Sequence, residues 1–95
     1  MASLRGDMGK PNADIFFKVE GGEAIPHHWH ASAERMALVS GRLEIQYDDH
    51  PVTVLETGSY AYGPPGAPHK GRCLSEQPCI LFIAFELPVD AFAVE

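Results

Sequence analysis

The chain has 95 residues, 45% of them apolar and 21% charged, with a formal net charge of −6. That is the make-up of one folded domain, too short for two, and an acidic chain with no basic block excludes nucleic acid and anionic membrane as expected partners. No apolar run approaches the roughly 18 residues of a bilayer span, and residues 1–14 hold no apolar core of a signal peptide, so a cytoplasmic location is expected.

Nine glycines and eight prolines cut the sequence into short pieces. Residues 1–14 show little periodicity and read as a flexible arm or an edge strand. Ile15–Val19 is the first clear strand, and Ile25–Trp29 a short second. Glu34–Ser40 places Met36 and Leu38 on one face, Ala37 and Val39 on the other. Arg42–Tyr47 alternates cleanly, with Leu43, Ile45 and Tyr47 inward. Asp48 to Pro51 form a turn, and Val52–Leu55 returns. Ser59–Tyr62 leads into a Pro/Gly loop, and His69–Leu74 follows. Cys79–Glu86 is almost wholly apolar and is expected to be covered on both faces. Beyond it, Leu87, Val89, Phe92 and Val94 fit a short terminal helix or an interface segment. About eight short strands separated by turn signals predict an all-β antiparallel sandwich or barrel. Cys73 and Cys79 are too few for a disulfide scaffold and are expected to be reduced, buried thiols.

Three of the five histidines lie at positions 27 to 30. His28 and His30 are two apart, so on a strand they share a face with Cα atoms about 6.6 Å apart. Two imidazoles leaning together can meet at one ion. Glu34 follows after a short bend and can supply a carboxylate. His69 arrives from a distant strand behind Gly63-Pro64-Pro65-Gly66-Ala67-Pro68. Three imidazoles and a carboxylate suit one divalent transition ion (Fe, Mn, Ni, Cu or Zn) better than Ca or Mg.

These residues stand in a recognisable order. Gly22, His28, His30, Glu34 and Gly41 fill the pattern G-x5-H-x-H-x3,4-E-x6-G. Gly58, Pro64, Gly66 and His69 fill G-x5-P-x-G-x2-H-x3-N up to its last position, where Cys73 replaces Asn. Sixteen residues separate the two patterns. The chain resembles a small single-domain cupin over residues 22–73. The resemblance implies a jelly-roll barrel of two antiparallel sheets across 15–95, with His28, His30, Glu34 and His69 as ligands of one metal ion per chain. Gly22, Gly41 and Gly58 fall at strand junctions where positive φ is useful.

The remaining residues read more plainly. His27 faces away from the ligands, and His50 sits in a turn. Trp29 also faces away and is expected to be covered by the arm or by a partner subunit. Met36, Leu38, Tyr47 and Phe82 are expected to line the barrel. Tyr60 and Tyr62 share a face just ahead of the Pro/Gly loop and are the candidate catalytic proton donors or substrate anchors. The expected function is a mononuclear metalloenzyme acting on a small enolisable or diol-type substrate, dioxygenase-like, working as a homodimer. A redox-neutral Lewis-acid isomerase or lyase, a small-molecule sensor without catalysis, and a purely structural metal are the alternatives.

Overall fold

The alternating pattern is realised as strands throughout the computed structural model, which describes residues 2–94. Among these residues there are ten strands and no helix: β1 (Ala2–Arg5), β2 (Asp14–Val19), β3 (Ala24–Trp29), β4 (Glu34–Ser40), β5 (Leu43–Tyr47), β6 (Thr53–Leu55), β7 (Tyr60–Gly63), β8 (His69–Cys73), β9 (Cys79–Phe85) and β10 (Phe92–Ala93). They form two five-stranded antiparallel sheets, ordered β1-β2-β9-β4-β7 and β10-β3-β8-β5-β6. This is the expected jelly roll. No helix among the described residues is long and apolar enough to cross a membrane.

Period-two alternation decides what each sheet buries. Ile15, Met36, Leu38, Leu43, Leu81, Ile83 and Phe85 are all almost fully buried and form one cluster between the sheets. Each such side chain contributes about 1.5–3 kcal/mol of transfer free energy. The strand β9 keeps the same parity: Cys79, Leu81, Ile83 and Phe85 point inward. Phe82 therefore faces outward, where it meets Phe16 edge-to-face at 6.4 Å. This corrects its expected place in the lining. The outer face of β9 is only half-buried, so the strand is not fully covered on both sides.

The ends of the chain close the edges. Ala2–Arg5 is an edge strand paired with β2 and exposed along its length. The tail forms no helix. Phe92 and Ala93 pair with Trp29 and His28 as β10, and Phe92 stacks on Trp29 at 4.4 Å. Trp29 is thus covered within the chain, not by the N-terminal arm. The three glycines expected at strand junctions all take positive φ, Gly22 at 80°, Gly41 at 87° and Gly58 at 93°. At Gly41 space matters as well, because a Cβ there would lie 2.9 Å from the Cys79 sulfur and from the Pro78 carbonyl oxygen.

Cys73 and Cys79 are joined in a disulfide, with Cα atoms 5.8 Å apart. This overturns the expectation of reduced thiols. Cys73 ends β8 and Cys79 starts β9, and five residues separate them. Since β8 and β9 belong to different sheets, the bridge staples sheet to sheet. Both residues are fully buried. Disulfides persist in oxidising surroundings, so the bridge gives the cytoplasmic expectation no support.

Candidate metal centre

The site lies at the end of the barrel opposite the disulfide. β8 carries His69 at its first position and Cys73 at its last, about 13 Å of strand apart. His69 lies directly across from His28 on β3 and from Tyr47 on β5. Glu34 opens β4, and His30 follows immediately after β3. Three chain segments, β3 with the residue after it, β4 and β8, thus deliver the four side chains to one place.

A bulge in β3 makes this possible. The register between β3 and β8 shifts between Ile25 and His28. Ile25 and His28 are three apart, yet both line the same cavity, which strict alternation forbids and an extra residue permits. Pro26 sits in the bulge, where its missing N–H costs no ladder bond. Its carbonyl oxygen accepts the His28 Nδ1–H at 2.5 Å.

Each of the three imidazoles is oriented in the same way. His28 Nδ1 donates to the Pro26 carbonyl, His30 Nδ1 to the Asp90 carbonyl at 2.5 Å, and His69 Nδ1 to the Ala67 carbonyl at 3.0 Å. A carbonyl can only accept, so every Nδ1 carries hydrogen and every neutral ring presents its Nε2 lone pair. The potential ligand atoms of His28, His30 and His69 all lie within 4.8 Å of one another. His28 Nε2 and His30 Nε2 are 3.1 Å apart, and Glu34 Oε1 is 2.9 Å from His30 Nε2. Lone pairs facing each other at such distances need a cation or a proton among them. The donor set therefore fits a divalent transition ion, with carbonyl partners behind each imidazole of the kind that orient metal-binding histidines.

The electrostatics divide the histidines. Burial lowers the His30 pKa, but the hydrogen bond and charge of Glu34, with Asp90, overcome it and leave the value raised above 6.5. For His69, burial dominates, the charges of His28 and His30 add to it, and the value falls despite the Ala67 carbonyl. In the metal-free protein the shared proton therefore belongs on His30, between Glu34 and the Asp90 carbonyl.

Of the sequence-predicted residues, the structure brings together His28, His30, Glu34 and His69. It does not bring Tyr60 or Tyr62 to them. Both are exposed on β7, at 64% and 51%, and line a second groove with Ile45, Tyr47, Pro64 and Pro68. His27 points outward to Asp48 at 2.8 Å, and His50 stays in its turn. Tyr47 faces inward as expected. Its ring lies 4.7 Å from that of His69, and its buried hydroxyl has no hydrogen-bond partner. Burial first, and the Glu34 charge second, raise its pKa above the ordinary phenol value. The hydroxyl fits only because position 63 is glycine, where a Cβ would overlap the Tyr47 oxygen and come within 3.2 Å of Glu34 Oε2.

Sequence reasoning missed the strap that closes the site. Residues 89–91 line the cavity, and the Asp90 carboxylate accepts the Ala31 N–H at 3.0 Å. Val89 N–H donates to the Met8 carbonyl at 2.8 Å. Buried Ser32 anchors the strap's root: its hydroxyl oxygen accepts from Glu86 N–H at 3.0 Å and Leu87 N–H at 2.9 Å, and it donates to the Ala33 carbonyl. Weak apolarity at Val89 was the only local signal.

No curated protein sequence matches the chain. Solved structures do match in fold. DMSP lyase DddQ from Ruegeria pomeroyi gives a TM-score of 0.80 at 22% identity, over 90% of this chain and 44% of that one. An uncharacterised conserved protein with a double-stranded β-helix domain from Klebsiella pneumoniae gives 0.79 at 19% identity, over 98% and 82%. Lactobacillus farciminis oxalate decarboxylase, in a formate complex, gives 0.78 at 20% identity, over 92% and 28%. The chain spans less than half the length of the lyase and of the decarboxylase, and likeness at these identities concerns the fold alone. The family model described as "Cupin domain" matches residues 15–85, from within β2 to the end of β9. The two motifs, the double sheet and this matched span agree, and the chain belongs to the cupin family.

Proposed function

We propose that the protein is a metal-dependent cupin enzyme in which His28, His30, His69 and Glu34 hold one divalent transition ion. The observation that carries this reading is the convergence of three Nε2 atoms whose Nδ1–H groups are all committed to backbone carbonyls. For Glu34 to join them, its carboxylate turns from the His30 ring to the ion as the proton on His30 leaves. When bound, the ion supplies Lewis acidity and, if redox-active, electron exchange. The chain does the rest. The carbonyls fix the rings, the apolar cavity excludes water, and the strap closes over the bound molecule.

The proposed substrate is a small enolisable or diol-type compound, and the proposed chemistry is dioxygenase-like. A redox-neutral lyase or isomerase is the second reading, supported by the lyase and decarboxylase among the proteins that share the fold. With Tyr60 and Tyr62 on the outer face, neither reading draws its proton donor from them. A homodimer is proposed through the outer face of the first sheet, where Tyr60, Ala37, Phe82 and Phe16 lie in one cross-strand row. Sedimentation as a monomer at micromolar concentration would exclude it.

Metal analysis tests the centre: about one ion per chain is expected, and the Glu34→Ala, His69→Ala double variant should lose it. Equal metal content in both would refute the assignment. Oxygen uptake and product formation with small diketones, catechols, thiols and hydroxy acids then separate the two chemistries, and no turnover of any would refute the catalytic reading.

A further inference from the structure

We propose that this site takes a small molecule with one oxygen-bearing, metal-binding head and an uncharged aliphatic tail of about two or three carbons, and that it rejects compounds charged at both ends. The inference rests on the metal reading above and narrows its substrate class.

Size comes from the cavity beside the imidazoles. Its volume is about 120 Å³. An apolar cavity of roughly 150 Å³ holds a benzene ring of six carbons, so this one, its imidazole end included, holds about five non-hydrogen atoms, of which about two or three are left for a tail. Its walls are Phe17, Ile25, Met36, Ile45, Leu81 and Ile83, with Phe85 beside His30 and Val89 of the strap closing the top. None of these side chains offers a hydrogen bond. The polar groups among the lining residues are His28, His30, His69, Glu34 and Asp90, all at one end. A bound molecule therefore meets donors at its head only.

Charge selection comes from what the cavity lacks. No lysine or arginine lines it. Arg35 and Arg42 are paired outside with Glu86 and Glu56, while Lys18, Lys70 and Arg72 are exposed on outer faces. A second carboxylate in the tail would be buried among isoleucines without a counter-charge, which is costly. At the mouth it would also pass the Asp90 carboxylate, which is held in place by Ala31.

The test uses cobalt(II)-loaded full-length protein, with n-alkanoates of two to eight carbons and the matching dicarboxylates titrated against the cobalt absorption spectrum. Affinity should rise about fourfold per methylene up to about four carbons and fall at least tenfold beyond. Dicarboxylates of the same length should bind at least thirtyfold more weakly. Val89→Ala, at the strap, should move the optimum up by about one carbon while leaving the barrel core intact. Neutral n-alkanols on the metal-free protein, read by thermal shift, probe the cavity apart from the ion. Failure to take up cobalt with an alkanol optimum retained would refute the metal reading and support the shape of the tail site. A flat length series in both arms, or dicarboxylates binding as well as monocarboxylates, would overturn this proposal.

Discussion

Reducing the Cys73–Cys79 disulfide tests the account of how so small a barrel holds its two sheets together. The bridge closes a loop with a sequence separation of only 6. Chain-entropy arguments for a loop this short give a stabilisation of about 2.4 kcal/mol. For a domain of this size that corresponds to a fall in Tm of about 10 °C or more. Comparing the oxidised and reduced forms of the same chain keeps the packing of the two buried sulfurs nearly constant. Urea unfolding with and without a phosphine reductant, equilibrated under denaturing conditions so that the buried bond is reached, is the appropriate assay. The reduced form should lose about 2.4 kcal/mol with little change in m-value. Metal affinity should change little, because the bridge lies at the opposite end of β8 from His69. Coincident transitions within about 0.5 kcal/mol, or two free thiols titrating in the unreduced, denatured protein, would refute the reasoning.

Zinc or cobalt at 100 times its Kd should raise stability by about 2.7 kcal/mol, reversibly with chelator, and His28→Ala should abolish the effect; an unchanged melting curve would show that the three imidazoles hold no ion. Metal affinity should fall as pH drops through the raised pKa of His30, because ion and proton compete for the same Nε2, whereas His69, with its lowered pKa, enters the competition only at more acidic pH. Cobalt titrations from pH 5.5 to 8 with a flat affinity would contradict that order. Tyr47→Phe should be neutral or stabilising by up to about 1 kcal/mol, since the hydroxyl it removes is buried without a partner; a loss above about 1 kcal/mol in urea unfolding would mean that the hydroxyl is bonded. Ser32→Ala should cost about 2–3 kcal/mol, because it strands the Glu86 and Leu87 N–H groups at the root of the strap. Hydrogen exchange at those two amides should speed up with it, and unchanged exchange would dismiss the anchoring role.

The sequence carried the parts of the fold that depend on local periodicity. Leu43, Ile45 and Tyr47 point inward as their alternation requires, and so do Met36 and Leu38. The four donors were legible because fixed spacing placed them together. What was not legible depended on contacts between distant segments. The bulge that lets Ile25 and His28 share a face exists only in the pairing with β8. Phe82 was misplaced because a wholly apolar strand has no alternation to read, and only the parity set by Cys79 and Phe85 decides its face. The disulfide depends on β8 and β9 meeting where Leu43 pairs with Cys73, which spacing alone does not reveal. β10 has two residues, too few for any periodic signal. Tyr60 and Tyr62 were read with correct shared parity and the wrong side, since Gly63 and Ala61 carry almost no side chain to mark the inner face.

The hydrogen bond from His30 to the Asp90 carbonyl spans 60 residues of sequence, and this sets a timetable for biosynthesis. Translation proceeds at roughly 5–20 residues per second, so about 3 to 12 s pass between synthesis of the ring and synthesis of the carbonyl that orients it. Both strands that pair with β3, β8 and β10, also follow it in the sequence, so during that interval His28 and His30 lie on a segment without its sheet partners. An ion captured then would bind an open pair of imidazoles and be free to exchange. The His30 ring is fixed only when residue 90 docks, so any ion the site would take reaches its final surroundings only after that point.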